Sequence, residues 1–231
     1  MKLKIFAIIL TVSSVLSGQY NGKRFSIGVN AVYTTTSKIY LSPNSSDLTV
    51  RNSYVEMGEI LNPAVEFKYR LTDEIILGFG TEYIKKTRTT TSLPGLSGIP
   101  VNDGFSMIPL ELSIYYLIPF STENFKFLMG GGGGFYYGEH IREVGDAEVS
   151  NLERKTAYGI HVIIAMDYLV RDNISVHGEM KFRDPQFNVT SSYNKSSIIY
   201  NNRFIPLQPQ AFASKINIDG VSFLIGLAFL F

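Results

Sequence analysis

The chain has 231 residues, with 21 Lys and Arg against 20 Asp and Glu, no cysteine and no tryptophan. The lack of cysteine excludes disulfide frameworks, thiolate metal sites, cysteine nucleophiles and a lipid-modified N-terminal cysteine. Residues 1–18, MKLKIFAIILTVSSVLSG, read as a signal peptide, with Lys2 and Lys4 ahead of an apolar stretch and Val15, Ser17 and Gly18 as its small-residue exit. Without the two leader lysines, 19 basic residues face 20 acidic ones, a net charge of −1 that gives no hint of a nucleic-acid partner.

Beyond the leader no run approaches the roughly 18 apolar residues of a spanning helix. Apolar residues recur at every second position instead, the period of a strand with one dry face. Phe25, Ile27, Val29, Ala31 and Tyr33 open the series. Leu61, Val65, Phe67, Tyr69 and Leu71 then alternate with Asn62, Ala64, Glu66, Lys68 and Arg70. Ile75, Leu77, Phe79 and Tyr83 follow, and next Ile108, Leu110, Leu112, Ile114, Tyr116 and Ile118. The fifth stretch, Lys126 to His140, holds the run Gly130 to Gly134, so its phase stays open. Alternate residues from Tyr158 to Val170 form the sixth, and Ile174, Val176, Met180 and Phe182 the seventh. Val221, Phe223, Ile225, Leu227, Phe229 and Phe231 form the eighth.

The connections sort by length. Residues 71–74, 119–124 and 171–173 are short turns, whereas roughly 37–54, 89–104, 141–155 and 188–214 are long and polar. Strict alternation of short and long predicts an all-β, eight-stranded antiparallel up-and-down transmembrane barrel over residues 19–231, in the bacterial outer membrane. The tyrosines fit. Tyr33, Tyr83 and Tyr158 fall at long-loop ends, and Tyr69, Tyr116 and Tyr168 at short-turn ends, which predicts two aromatic girdles. Ten residues from Tyr158 to Tyr168 span roughly 25 Å along a tilted strand, the height of a lipid-facing band.

The inward phase carries Glu66, Lys68, Arg70, Glu82, Glu111, Asp167, Glu179, Lys181 and Arg183, with His161 and His177. Eight strands leave room only for side chains, so near-balanced charges there predict a plugged, ion-paired lumen. A last strand that is apolar on one face loses its edge if it pairs with the first.

On these residues the chain resembles small outer-membrane barrels of the OmpX and OmpA-barrel type, and the "outer membrane protein beta-barrel" families called porin-family or PorT-family. The terminal GVSFLIGLAFLF, the segment Met107 to Leu112 followed by Tyr115-Tyr116, and the glycine strand Gly130 to Tyr137 carry the likeness. The resemblance implies contact with outer-membrane lipid, periplasmic chaperones and the barrel assembly machinery during biogenesis. It also implies that Phe223, Ile225, Leu227, Phe229 and Phe231 form the assembly signal. It implies no peptidoglycan-binding domain and no functional residue.

Chemistry has little footing. His140 lies near Glu139 and Glu143 at a long-loop end, but no spacing brings a base, an orienting acid and a nucleophile together, as a lipid-modifying enzyme would need. His161 and His177 read as lumen packing, and no metal or cofactor is expected. The glycine run has neither the Lys-Ser/Thr nor the helix of a phosphate loop. The fourth long loop mixes polar residues with apolar ones, Tyr193 and Tyr200 among them, and is the candidate contact surface for an unidentified ligand. The expectation is a non-enzymatic barrel with a structural or surface-interaction role in the envelope. A narrow channel for ions or small solutes is the alternative.

Overall fold

A computed structural model describes residues 22–91, 96–207 and 210–231. The signal-peptide reading lies outside the described residues. In chain order the elements are β1 (Phe25–Thr34), β2 (Lys38–Tyr40), α1 (Leu48–Arg51), β3 (Tyr54–Glu56), β4 (Ile60–Arg70), β5 (Ile75–Glu82), β6 (Ile84–Thr90) and β7 (Val101–Leu117). There follow β8 (Phe125–Val144), β9 (Ala147–Arg154), β10 (Ala157–Arg171), β11 (Ile174–Arg183), β12 (Gln186–Tyr193), β13 (Ser197–Tyr200), β14 (Arg203–Pro206), β15 (Phe212–Asn217) and β16 (Gly220–Leu230).

Eight of these strands close a barrel in which every neighbour is antiparallel and next in line: β1, β4, β5, β7, β8, β10, β11 and β16. The last strand returns to the first, from Ser26 opposite Leu230 to Thr34 opposite Ser222, so no edge is left in the wall. The period-two pattern has the predicted consequence. Ile160 is 80 % exposed and Leu61 75 % exposed on the outer face, while Glu111, His161 and Lys181 are buried inside. Such an apolar exterior is unfavourable in water and fits a hydrocarbon surround.

The phase of the glycine strand is settled by its neighbours. Leu128, Gly130, Gly132, Gly134 and Tyr136 face inward, and Met129, Gly131, Gly133 and Phe135 outward. Adjacent strands crowd this side. A Cβ on Gly132 would lie 1.8 Å from the Leu112 carbonyl oxygen, and one on Gly130 would lie 2.4 Å from that of Ile114.

The expectation of long polar loops is corrected. Those segments hold much of β2, β3, β6, β9 and β12 to β15, so the wall continues above the apolar band as a curved sheet ordered β3-β2-β15-β12-β9-β8-β7-β6. The physical reason is that these strands have an apolar inner face of their own. Ile39, Met57, Ile60, Ile84, Phe105, Met107, Tyr136, Phe187, Val189, Ile216 and Ile218 form one buried cluster across them. Higher still, Ile99, Val101, Val144, Ala147, Ile198 and Leu207 make a second, with Tyr193 and Tyr200 packed against it. Between β3 and β6 the upper sheet is open, and Lys86 Nζ donates to the Glu59 carbonyl at 2.6 Å and Arg88 Nη1 to that of Glu56 at 2.8 Å across the gap.

Candidate functional site

Strands β4, β5, β7, β10 and β11 aim alternate residues at one axis, and the charged ones meet there. Arg183 lies at the centre of the upper half. Its Nη1 is 2.6 Å from Glu82 Oε1 and 3.0 Å from Glu111 Oε1, and its Nη2 donates to Glu82 Oε2 at 3.1 Å. Lys181 bridges Glu111 at 2.9 Å and Glu179 at 3.2 Å. Asn62 donates to Glu82 Oε2 and Tyr136 to Glu111 Oε1, oxygens that Arg183 also engages. One connected network thus ties five strands together, each member holding another's charge.

The lower half is arranged around Tyr115. Its hydroxyl is 2.5 Å from Glu66 Oε1 and 3.1 Å from Glu179 Oε2, and Lys68 sits over its ring while pairing with Glu66 Oε2 at 3.0 Å. His177 Nδ1 is 2.6 Å from Asp167 Oδ1. His177 Nε2 faces the two glutamates, and Glu66, His177 and Glu179 bring their ligand atoms within 4.8 Å of one another, a set able to hold a metal ion. His161 is turned to Ser113, 2.8 Å away.

Of the nine charges read from the sequence, eight face one another in this interior. Arg70 turns instead to Asp73 in the lower turn, at 2.5 Å. Tyr115, Tyr136, Asn62 and Lys126 were not among the sequence candidates. Lys126 and Tyr136 belong to the strand of ambiguous phase, and the outward series Phe125, Phe127 and Met129 was the signal that fixes it.

The network has a floor and a ceiling. Ile76, Tyr115, Leu117, Leu128, Ile163, Ala165 and Leu230 form the floor in the lower lumen, with Ile163 and Ala165 level with Lys181 and Glu179, and the cluster around Phe105, Met107 and Phe187 forms the ceiling. Neither was expected from the sequence. Two small cavities touch the charges, about 30 Å³ beside Lys68, Arg70 and Asp167 and about 10 Å³ beside Glu82, Glu111 and Lys181, space for about one water each.

Above the ceiling, on extensions of β7 and β8, lies a buried polar cluster. Asp103 accepts from Arg142 Nη2 at 2.8 Å and Nε at 3.1 Å, and its Oδ1 is 2.8 Å from His140 Nε2. Burial alone would raise the Asp103 carboxyl. The His140 hydrogen bond and the Arg142 guanidinium outweigh it and hold the carboxyl at about 2. Burial pushes the His140 imidazole below its ordinary value, helped by Arg142. On the other side His140 Nδ1 is 3.5 Å from Ser214 Oγ. Asp103, His140 and Ser214 are all buried.

The tyrosines predicted as girdles stand on the outer face. Tyr33, Tyr83 and Tyr158 are exposed at the upper ends of β1, β5 and β10, and Tyr116 and Tyr168 at the lower ends of β7 and β10, with half-buried Tyr69 near Phe25. Phe223, Ile225, Leu227, Phe229 and Phe231 are likewise exposed along β16. Tyr193 and Tyr200, read as surface contacts, are a correction: both are half-buried against the upper cluster, because the hairpin β13–β14 folds Ile198 and Ile205 onto it. The exposed apolar pair on that hairpin is Ile199 and Phe204.

No family model matches the chain, and no curated protein matches it. Solved structures do. The outer membrane protein OprG from Pseudomonas aeruginosa superposes with a TM-score of 0.66 at 12 % identity, over 90 % of this chain and 96 % of that one. This chain has the fold of the small eight-stranded bacterial outer-membrane barrels. The outer membrane protein AlkL aligns with a TM-score of 0.52 at 12 % identity, covering 90 % of each chain. Neisserial surface protein A aligns at 0.50 and 11 % identity, over 90 % of this chain and 97 % of that one. At these identities the likeness is one of fold, and the barrel's particular role rests on its own residues.

Proposed function

We propose that this protein is a non-enzymatic structural barrel of the outer membrane, its lumen sealed against solute flow and its upper sheet presented at the cell surface. The carrying observation is the filling inside the wall: a mutually paired charge network packed together with an apolar floor and an apolar ceiling. A conducting pore needs polar or charged groups that exchange partners with ions. Here Glu111 is engaged on both oxygens, by Lys181 on one side and by Arg183 and Tyr136 on the other. In this reading the two rows of tyrosine anchor the barrel at the lipid interfaces. The exposed residues Phe223 to Phe231 on β16 serve recognition by the assembly machinery, after passage with periplasmic chaperones. Ile199 at 76 % and Phe204 at 72 % exposure support a contact role for the surface hairpin.

The test is conductance of the refolded protein in planar bilayers. Folded barrels, identified by a gel-migration change on heating, should give no steps that scale with salt. Stable steps altered in ion selectivity by Glu111→Gln would replace this reading with a channel.

A further inference from the structure

The lower lumen contains a histidine whose environment asks for a cation. His177 is buried, and its Nδ1 lies 2.6 Å from Asp167 Oδ1, a distance at which the ring donates its Nδ1 proton to that carboxylate. With the ring neutral, as a metal ligand must be, Nε2 would direct its lone pair at Glu66 and Glu179. Nε2 makes no hydrogen bond; its nearest carboxylate oxygen, Glu179 Oε2, is 3.4 Å away. That is long for a charge-assisted hydrogen bond, which closes to about 2.7–2.9 Å. It is the separation of two ligands on one tetrahedral ion, since bonds of about 2.1 Å place neighbouring ligand atoms about 3.4 Å apart.

The two carboxylates are oriented for the same purpose. Glu66 gives Oε2 to Lys68 and Glu179 gives Oε1 to Lys181, which leaves Glu66 Oε1 and Glu179 Oε2 turned inward. Both inward oxygens meet the Tyr115 hydroxyl. That hydroxyl has one proton to donate, and the shorter contact, to Glu66, takes it. With His177 neutral, Glu179 Oε2 would then face lone pairs of both Tyr115 and His177.

We propose that Glu66, His177 and Glu179 hold one divalent transition-metal ion, with zinc the best match to one imidazole and two carboxylate ligands. Asp167 is a positioning residue that fixes the tautomer and turn of the ring. The ion would link β4 to β11 across the lumen, a pinning role separate from whether the barrel conducts.

The experiment uses the full barrel, freed of metal by a chelator while unfolded and refolded in detergent with one equivalent of zinc, then gel-filtered and analysed for metal. One zinc per chain is expected, falling below a tenth in His177→Gln. Asp167→Asn should weaken binding about 10–100-fold. Cobalt in place of zinc should give the visible bands of a tetrahedral site, a readout on the unsubstituted protein should the variants fail to fold. Folded protein that retains less than a tenth of an equivalent of zinc overturns the proposal and leaves a protonated His177 bridging Asp167 and Glu179. Retention undiminished in His177→Gln overturns it as well.

Discussion

Single residues in this wall differ sharply in what they tolerate, and the approach of the neighbouring strand's backbone decides it. Gly132 and Gly133 are adjacent in sequence, yet a Cβ on Gly132 would collide with the Leu112 carbonyl while one on Gly133 finds its nearest atom at 3.5 Å. Gly133→Ala should therefore refold like the parent, and Gly132→Ala should fail or lose several kcal/mol, about the cost of a forced backbone shift in a close-packed site. Refolding yield, read as heat-dependent gel migration, distinguishes them. A second contrast lies at Arg183. Replacing it with Met leaves Glu82 and Glu111 facing each other without their shared guanidinium, at a cost of about 3–5 kcal/mol. Adding Glu82→Gln to that variant should restore part of the loss. Chemical-denaturation midpoints check both, and additive losses would argue against a coupled pair.

At the scale of elements, the extensions of β7 and β8 above the apolar band depend on Asp103, His140 and Arg142. The two titrations act in the same direction. Asp103 has a folded value near 2, below its ordinary 3.8, so its contribution is present above about pH 4 and lost as pH falls toward 2. His140 is held neutral below its ordinary 6.5, so the unfolded chain takes up a proton that the folded one resists, and stability declines as pH drops below 6.5. Denaturation midpoints should therefore fall on acidification from pH 7 to pH 3. His140→Gln should flatten the part between pH 7 and 5, and Asp103→Asn should remove roughly 2 kcal/mol of stability at pH 7. A midpoint independent of pH over that range would contradict this account of the cap. The same extensions show why sequence reading undercalled them: segments such as Lys38–Tyr40 and Phe212–Asn217 are too short to display a period of two above their polar surroundings.

For the whole molecule, closure is what turns alternating strands into a membrane protein. With β16 paired to β1, every wall strand has two neighbours and the apolar face can point outward. Above the band the sheet opens between β3 and β6, where water can satisfy the free edges, and the side chains of Lys86 and Arg88 cross the gap. The silent bilayer predicted above follows from this division: the closed, filled segment lies where solutes would have to pass. Conductance would contradict the packing of floor and ceiling together.

By itself the sequence determined the eight wall strands, their alternating connections and which face meets lipid, because a period of two and the placement of turns are local properties of the chain. It also pointed to many of the buried charges, though not to Lys126, Asp103 or Arg142. Only the tertiary structure decided which of them pair. Arg183 reaches Glu82 and Glu111 across 101 and 72 residues of chain, and no local pattern encodes such a meeting. The apolar floor and ceiling, the inward phase of the glycine run and the convergence of Glu66, His177 and Glu179 have the same origin. They depend on strand register, which is set by contacts between strands and not within them.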